Sequence, residues 1–236
     1  MEPKFKRIML KLSGEGLAGD SKTGIDATIV QKLAREVKAV HDLGVQICLV
    51  IGGGNFFRGA KDASAFMDRS VADQIGMLAT VMNALTMKSA LENIGCSANI
   101  FSGLNMPQVC EPYSFREAKQ SLEDGKVSLF ACGTGSPYFT TDTGAVLRAT
   151  EMHCDVVMKA TQVDGVYDSD PRYNKDAKRY DNISYAEVLD KHLNVMDMTA
   201  IAMAQENQIP IMVFAQKGDD AVLKAVCGAA KYTLIK

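Results

Sequence analysis

The chain has 236 residues, 47% hydrophobic and 23% charged, with a formal net charge of -2 at pH 7. That length can bury a full hydrophobic core as one domain, expected over residues 1–236, and the near-neutral charge argues against a bulk nucleic-acid or membrane-surface binder. No apolar run approaches the roughly 20 residues that span a bilayer, and "MEPKFKR" at the start lacks the features of a secretory signal, so a cytoplasmic protein is expected.

In chain order, "RIMLKLSG" has the pattern of a first strand. Asp26 then caps a helix whose apolar residues Ile29, Val30, Leu33, Val37 and Val40 recur at helical spacing, with Gly44 past its end. "VQICLVI" is a buried strand. Asp68 to Asn93 is a long helical stretch rich in Ala, Leu and Met, closed by Gly95. Strand "SANIF", helix "SFREAKQSLEDG", strand "KVSLFAC", helix "TDTGAVLRATEM" and strand "CDVVMKAT" follow. "VDGVYDSDPRYNKDAKRYDN" is too polar for core and is expected as an exposed loop or short hairpin. A helix around Val195 to Asn207, the strand "IPIMVF", a helix from Asp219 and the tail "KYTLI" complete the chain. Strands separated by helices imply an α/β fold, an open αβα sandwich on a mainly parallel sheet.

The six cysteines (Cys48, Cys96, Cys110, Cys132, Cys154, Cys227) form no C-x-x-C pair, and most sit in apolar runs, as reduced, buried thiols do. His41, His153 and His192 show no ligand spacing, so no protein-held metal site is expected. A metal here would be magnesium, bound through carboxylates and phosphate oxygens.

Ligands of parallel sheets bind beyond the carboxyl ends of the strands. "KLSG" (Lys11 to Gly14), "GGGNFFRG" (Gly52 to Gly59), "GTGSPYFTTD" (Gly133 to Asp142) and "KATQVDGVYDSDP" all fall there. Glycine exposes backbone N–H groups that suit phosphate. A single glycine pair would signify only a tight turn; three such turns beside Lys11, Arg58 and Asp142 favour phosphate chemistry. The P-loop spacing fails, because Ala60 displaces the lysine, and the dinucleotide fingerprint fails, because Phe57 stands where its third glycine belongs. A kinase for a small acceptor survives, with Lys11 and Lys159 neutralising phosphate oxygens and Asp142 orienting a magnesium ion or one of those lysines.

"KLSGEGL", "VIGGGNFFRG", "GMLATVMN", "GTGSPYFTTD", "KATQVDGVYDSDP" and "VMD", in that order, resemble the bacterial uridylate (UMP) kinases of the amino acid kinase superfamily, from about Lys6 to the C-terminal strand. The resemblance implies phosphoryl transfer from ATP to UMP with Mg2+, in pyrimidine nucleotide biosynthesis, by a homohexamer activated by GTP and inhibited by UTP. It implies catalytic roles for Lys11, Arg58, Asp142 and Lys159. It places ATP against Lys11, Leu12, Ser13, Gly14, Gly54, Arg58, Thr161, Tyr167 and Asp170. It places UMP against Gly53, Asp73, Thr134, Gly135, Ser136, Pro137, Tyr138, Phe139, Thr140 and Thr141. Unaided, Asp73 is an exposed helix carboxylate. The GTP-responsive loop of the family corresponds to Gly19, Asp20, Ser21, Lys22, Thr23 and Gly24. Gln162 departs from the Lys or Asn expected there in many relatives. Two other readings stay open: a superfamily enzyme acting on a carboxylate or carbamate, and a non-catalytic nucleotide-sensing regulator.

Overall fold

Strand β1 (Arg7–Leu12) lies near the middle of the sheet because both its faces are apolar: Ile8, Leu10 and Leu12 enter one core and Met9 the other. The computed structural model of the chain describes residues 1–21, 23–57 and 66–236. Helix α1 (Ala27–His41) starts where the Asp26 carboxylate accepts the Thr28 and Ile29 N–H groups, and Gly44 beyond its end takes φ +83°. Then come β2 (Gln46–Ile51), α2 (Arg69–Glu92), β3 (Ala98–Ser102), β4 (Glu111–Pro112), α3 (Phe115–Glu123) and β5 (Val127–Ala131). The second half runs α4 (Thr141–Glu151), β6 (Val156–Thr161), β7 (Val166–Tyr167), β8 (Arg179–Tyr180), β9 (Asn182–Ile183), α5 (Tyr185–Asp190), α6 (Met198–Glu206), β10 (Ile211–Ala215), α7 (Ala221–Val226) and β11 (Tyr232–Ile235).

Among the described residues the main sheet has nine strands in the order β4-β3-β5-β2-β1-β6-β10-β11-β9. Its pairings are parallel except β10 with β11, which runs antiparallel. Side chains of α1, α2 and α7 cover one face, and those of α3, α4, α5 and α6 the other. This is the expected αβα sandwich. Alternation along a strand then decides where its charges go: Lys11 follows Met9, and Lys159 follows Val157, onto the face that α4 covers.

The polar stretch forms a small hairpin, with Val166 opposite Tyr180 and Tyr167 opposite Arg179. The helix expected around Val195 starts later, at Met198, because Asp197 caps it by accepting the Ala200 N–H. Helix α5 has a signal that the sequence pattern carried: Ser184 and Glu187 form a capping box. Among the described residues no helix is long and apolar enough to cross a membrane.

Candidate active site

Lys11 and Lys159 are paired neighbours in the parallel register of β1 and β6. Two ammonium groups on one face of adjacent strands repel each other, and Asp142 in the first turn of α4 resolves this. Its Oδ1 lies 2.8 Å from Lys11 Nζ and its Oδ2 2.7 Å from Lys159 Nζ. The three side chains are only 12%, 13% and 13% exposed. Lys159 donates to Oδ2 and to the Val195 carbonyl, whereas the Lys11 contact is an ion pair that leaves Oδ1 without an aligned hydrogen-bond donor. Burial works to raise the Asp142 pKa, but the charges of Lys11 and Lys159 outweigh it and hold the carboxyl below its ordinary range. For Lys159 burial dominates, with the Lys11 charge adding to it, and pulls the ammonium below the usual lysine value against the attraction of Asp142.

Helix α4 is held by its own sequence. Thr140 caps it, accepting from the Asp142 and Thr143 N–H groups at 3.1 and 3.2 Å. Asp197 accepts the Thr140 hydroxyl, and the Thr143 hydroxyl at 2.9 Å. Asp197 thus ties the start of α6 to the start of α4. The motif "VMD" contains it, but its role becomes visible only through these contacts.

Beside the charged cluster lies a cavity of about 240 Å³. Gly53 and Gly54 line one side, Asp73 and Thr80 of α2 another, and Gly133, Thr134, Ser136, Phe139, Thr140 and Thr141 a third. Seven of the ten expected acceptor residues therefore meet around one cavity, whereas Gly135, Pro137 and Tyr138 do not line it. Asp73 is no free surface carboxylate: it accepts the Tyr138 N–H at 2.8 Å and pairs with Arg69 Nε at 3.1 Å. Arg69 also lies over the Tyr138 ring, 5.3 Å from its centroid. Gly53 is bare for a second reason besides ligand approach. A Cβ there would stand 2.6 Å from the Gly76 carbonyl, so α2 needs glycine to pack this closely.

The expected donor residues gather less tightly. Lys11 to Gly14 leave β1 directly into a 3-10 turn at Gly14–Leu17. Thr161 ends β6, where its hydroxyl donates to the Val163 carbonyl and its own carbonyl accepts the Gln216 N–H. Tyr167 donates to Asp164 in the hairpin region, and Asp170 pairs with Arg172. None of these three lines the cavity, and Gln162 beside them is exposed. Gln216, whose side chain lies 3.1 Å from where a Cβ on Gly16 would be, is a donor-side neighbour that sequence reasoning missed. Of the loop expected to answer GTP, Gly19–Ser21 forms a short 3-10 turn and Gly24 bonds Asn55. Arg58 and Lys22 lie outside the described residues.

No group of three or more His, Cys, Asp or Glu among the described residues could hold a metal ion. Asp142 has an ammonium at each oxygen, so the described side chains do not build a protein cage for Mg2+.

Residues 6–215 match the model of the Amino acid kinase family. The chain is 54% identical over 232 residues to a uridylate kinase of Cereibacter sphaeroides, covering 98% of this chain and 94% of that protein. It is 52% identical over 234 residues to a uridylate kinase of Paramagnetospirillum magneticum, covering 99% and 98%. The crystal structure of a UMP kinase from Ureaplasma parvum superposes with a TM-score of 0.93 at 34% identity, covering 98% of each chain.

Proposed function

We propose, for a chain that belongs to the amino acid kinase family, transfer of the terminal phosphoryl group of ATP to UMP, giving ADP and UDP. The chain is a UMP kinase, and its place is in pyrimidine nucleotide biosynthesis. The observation that carries the mechanism is the buried Lys11–Asp142–Lys159 cluster near the carboxyl ends of β1 and β6.

The acceptor is a phosphate oxygen already ionised at neutral pH, so the reaction asks for no general base. A bond forms from a UMP phosphate oxygen to the γ-phosphorus of ATP. The bond from that phosphorus to the β,γ-bridging oxygen breaks, and its electrons leave with ADP. The obstacle is repulsion between two polyanions, and catalysis is mainly positioning with cations around the transferring group. Lys11 and Lys159 supply two such cations, and Asp142 keeps them close before the phosphates arrive. Magnesium would come with ATP on the phosphate oxygens and neutralise part of their charge. In this reading the cavity with Gly53, Asp73 and Thr134 to Thr141 takes UMP. Lys11 to Gly14, Gly54, Thr161, Tyr167 and Asp170 take ATP, with Arg58 alongside.

Val71, Leu78, Met82 and Leu85 are exposed along α2, which supports self-association through that helix into the hexamer that the family resemblance implies. GTP activation through residues 19–24, UTP inhibition and a cytoplasmic location belong to the same reading.

A coupled assay of ADP release against a panel of nucleoside monophosphates and small carboxylates tests the assignment. UMP is the expected best acceptor: CMP should be far weaker because residues 134–141 match the UMP loop of the family, and dUMP far weaker because Asp73 is read as bonding a ribose hydroxyl and a site built to bond a hydroxyl rejects the analogue without it. Equal turnover of dUMP and UMP removes Asp73 from ribose recognition. Lys11→Ala is expected to lower kcat at least about 100-fold with the fold intact; near-normal kcat would pass its role to Lys159.

A further inference from the structure

Asn55 and Asn83 are the most buried amide side chains near the site, 2% and 0% exposed, and neither belongs to any substrate contact described above. They face each other as a reciprocal pair. Asn55 Nδ2 donates to Asn83 Oδ1 at 3.0 Å, and Asn83 Nδ2 donates to Asn55 Oδ1 at 2.8 Å. The second proton of each amide is also placed. Asn83 donates to the Gly52 carbonyl at 2.7 Å, and Asn55 to the Gly24 carbonyl at 2.8 Å. The Gly24 N–H returns a bond to the Asn55 carbonyl at 2.9 Å. All four amide protons are used, so the orientation of both side chains is fixed.

The pair also touches the first glycine turn. A Cβ on Gly14 would stand 2.5 Å from Asn55 Oδ1 and 2.2 Å from the Gly52 carbonyl. One buried amide pair therefore meets the turn after β1, the turn after β2, the segment at Gly24 and helix α2. The turn after β1 is assigned above to ATP; in the turn after β2, Gly53 is assigned to UMP and Gly54 to ATP. A purely structural core position is filled more simply by an apolar side chain, whereas a fully satisfied polar network specifies one geometry.

We propose that the Asn55–Asn83 amide pair is a positioning device for phosphoryl transfer, setting the donor-side turn at Lys11–Gly14 against the Gly52–Gly54 turn, where the acceptor meets Gly53 and the donor Gly54. Neither residue touches the reacting atoms; both act through the backbone of the turns. A small misplacement of reacting groups is enough to cost about 100-fold in rate. This inference rests on the UMP kinase reading.

The test uses the full-length enzyme and compares Asn83→Ala, Asn55→Ala, the double variant and Asn83→Asp with the parent, with the folded fraction of each measured by denaturant unfolding. Per folded molecule, each alanine variant is expected to lose about 10- to 100-fold in kcat, with the KM values for ATP and UMP moving less than about threefold, and the double variant to be no worse than the singles, as for residues acting as a unit. Asn83→Asp should acquire a loss of kcat with rising pH that sets in well below the parent's own alkaline limb. Its neutral acid still donates to the Gly52 carbonyl, and its carboxylate opposes both that carbonyl and Asn55 Oδ1. Should an alanine variant fail to fold, the pH profile of Asn83→Asp, read on its folded fraction, decides alone. Alanine variants with kcat within about threefold of the parent per folded molecule, or an Asn83→Asp profile that superimposes on the parent's, overturn the proposal. A parent that does not phosphorylate UMP overturns the UMP kinase reading and this inference together; an active parent with unaffected variants overturns the inference alone.

Discussion

The Lys11–Asp142–Lys159 cluster and the Asp170–Arg172 pair are made of the same chemistry at the same separations, 2.8 and 2.7 Å in the first and 2.7 Å in the second. Their surroundings differ. The cluster is buried between β1, β6 and α4, whereas Asp170 and Arg172 are 37% and 68% exposed, in the polar stretch that carries the small hairpin. In water the Asp170–Arg172 attraction is screened and replaceable by hydration. Inside the fold, removing one partner leaves a charge that nothing else neutralises. Distance alone does not rank ion pairs; burial and the presence of a second like charge do.

The sharpest way to break this comparison is Asp142→Ala. It leaves Lys11 and Lys159 facing each other unneutralised, and breaking a buried pair in this way costs about 3–5 kcal/mol. Denaturant unfolding should show that loss, and kcat should fall by at least about 1000-fold because both ammonium groups lose their anchor. Near-parental stability would mean that the lysines neutralise themselves by losing protons.

A pH series sharpens it next. The Asp142 pKa is held below its ordinary value, so the stability it contributes is full above the usual carboxylate range and is lost as pH falls through the lowered value. The Lys159 pKa is also lowered, so stability again rises with pH, but for the opposite reason: its charged form is the disfavoured one, and the cost it carries is relieved as pH rises and it gives up its proton before an ordinary lysine does. The rate is therefore expected to fall on the alkaline side earlier than exposed lysines would dictate. Lys159→Arg, whose charge does not titrate there, should move that limb upward even if its bulk lowers the plateau. An unmoved limb would detach it from Lys159.

The smallest effect belongs to the exposed pair. Arg172→Ala should leave the thermal unfolding midpoint unchanged within error, at low and high salt alike. A large drop would show that the hairpin region is tied to the body of the fold more firmly than its exposure implies.

Much of this was legible in the sequence, for a definite reason. Strand, helix and cap signals are local, so Asp26, Gly44 and the apolar periods of β2 and α1 announced their elements. Lys11, Lys159 and Asp142 could be singled out because each stands at a strand or helix end, where the fold class puts ligands. The contacts between distant segments were not legible. Asp73 meets the Tyr138 N–H across 65 residues, and Asn55 meets Asn83 across 28. No spacing rule predicts such meetings, which follow from how α2 lies across the strand ends. The sequence makes Asp142 a partner of magnesium or of one lysine, whereas in the fold it pairs with both lysines, because only the packed register shows that Lys11 and Lys159 are neighbours. The Ala-, Leu- and Met-rich composition of α2 does not separate its two faces, whereas the fold buries Val81, Ala84, Met87 and Leu91 and exposes a second stripe at Val71, Leu78, Met82 and Leu85.

The side-by-side register of Lys11 and Lys159 bears on how such an enzyme can be altered. Adjacent parallel strands lie about 4.8 Å apart and are held by a ladder of backbone bonds, so the floor under the reaction keeps its dimensions whatever is built above it. The cover is separate: α2 supplies Asp73, and residues 133–141 supply the hydroxyl-rich wall. On the proposed reading, acceptor choice rests with α2 and residues 133–139, and transfer chemistry with β1, β6 and the start of α4, which Thr140 caps. Exchanging the cover should redirect the enzyme toward another phosphate or carboxylate acceptor without rebuilding the electrostatics beneath it, which makes the floor a portable unit for redesign.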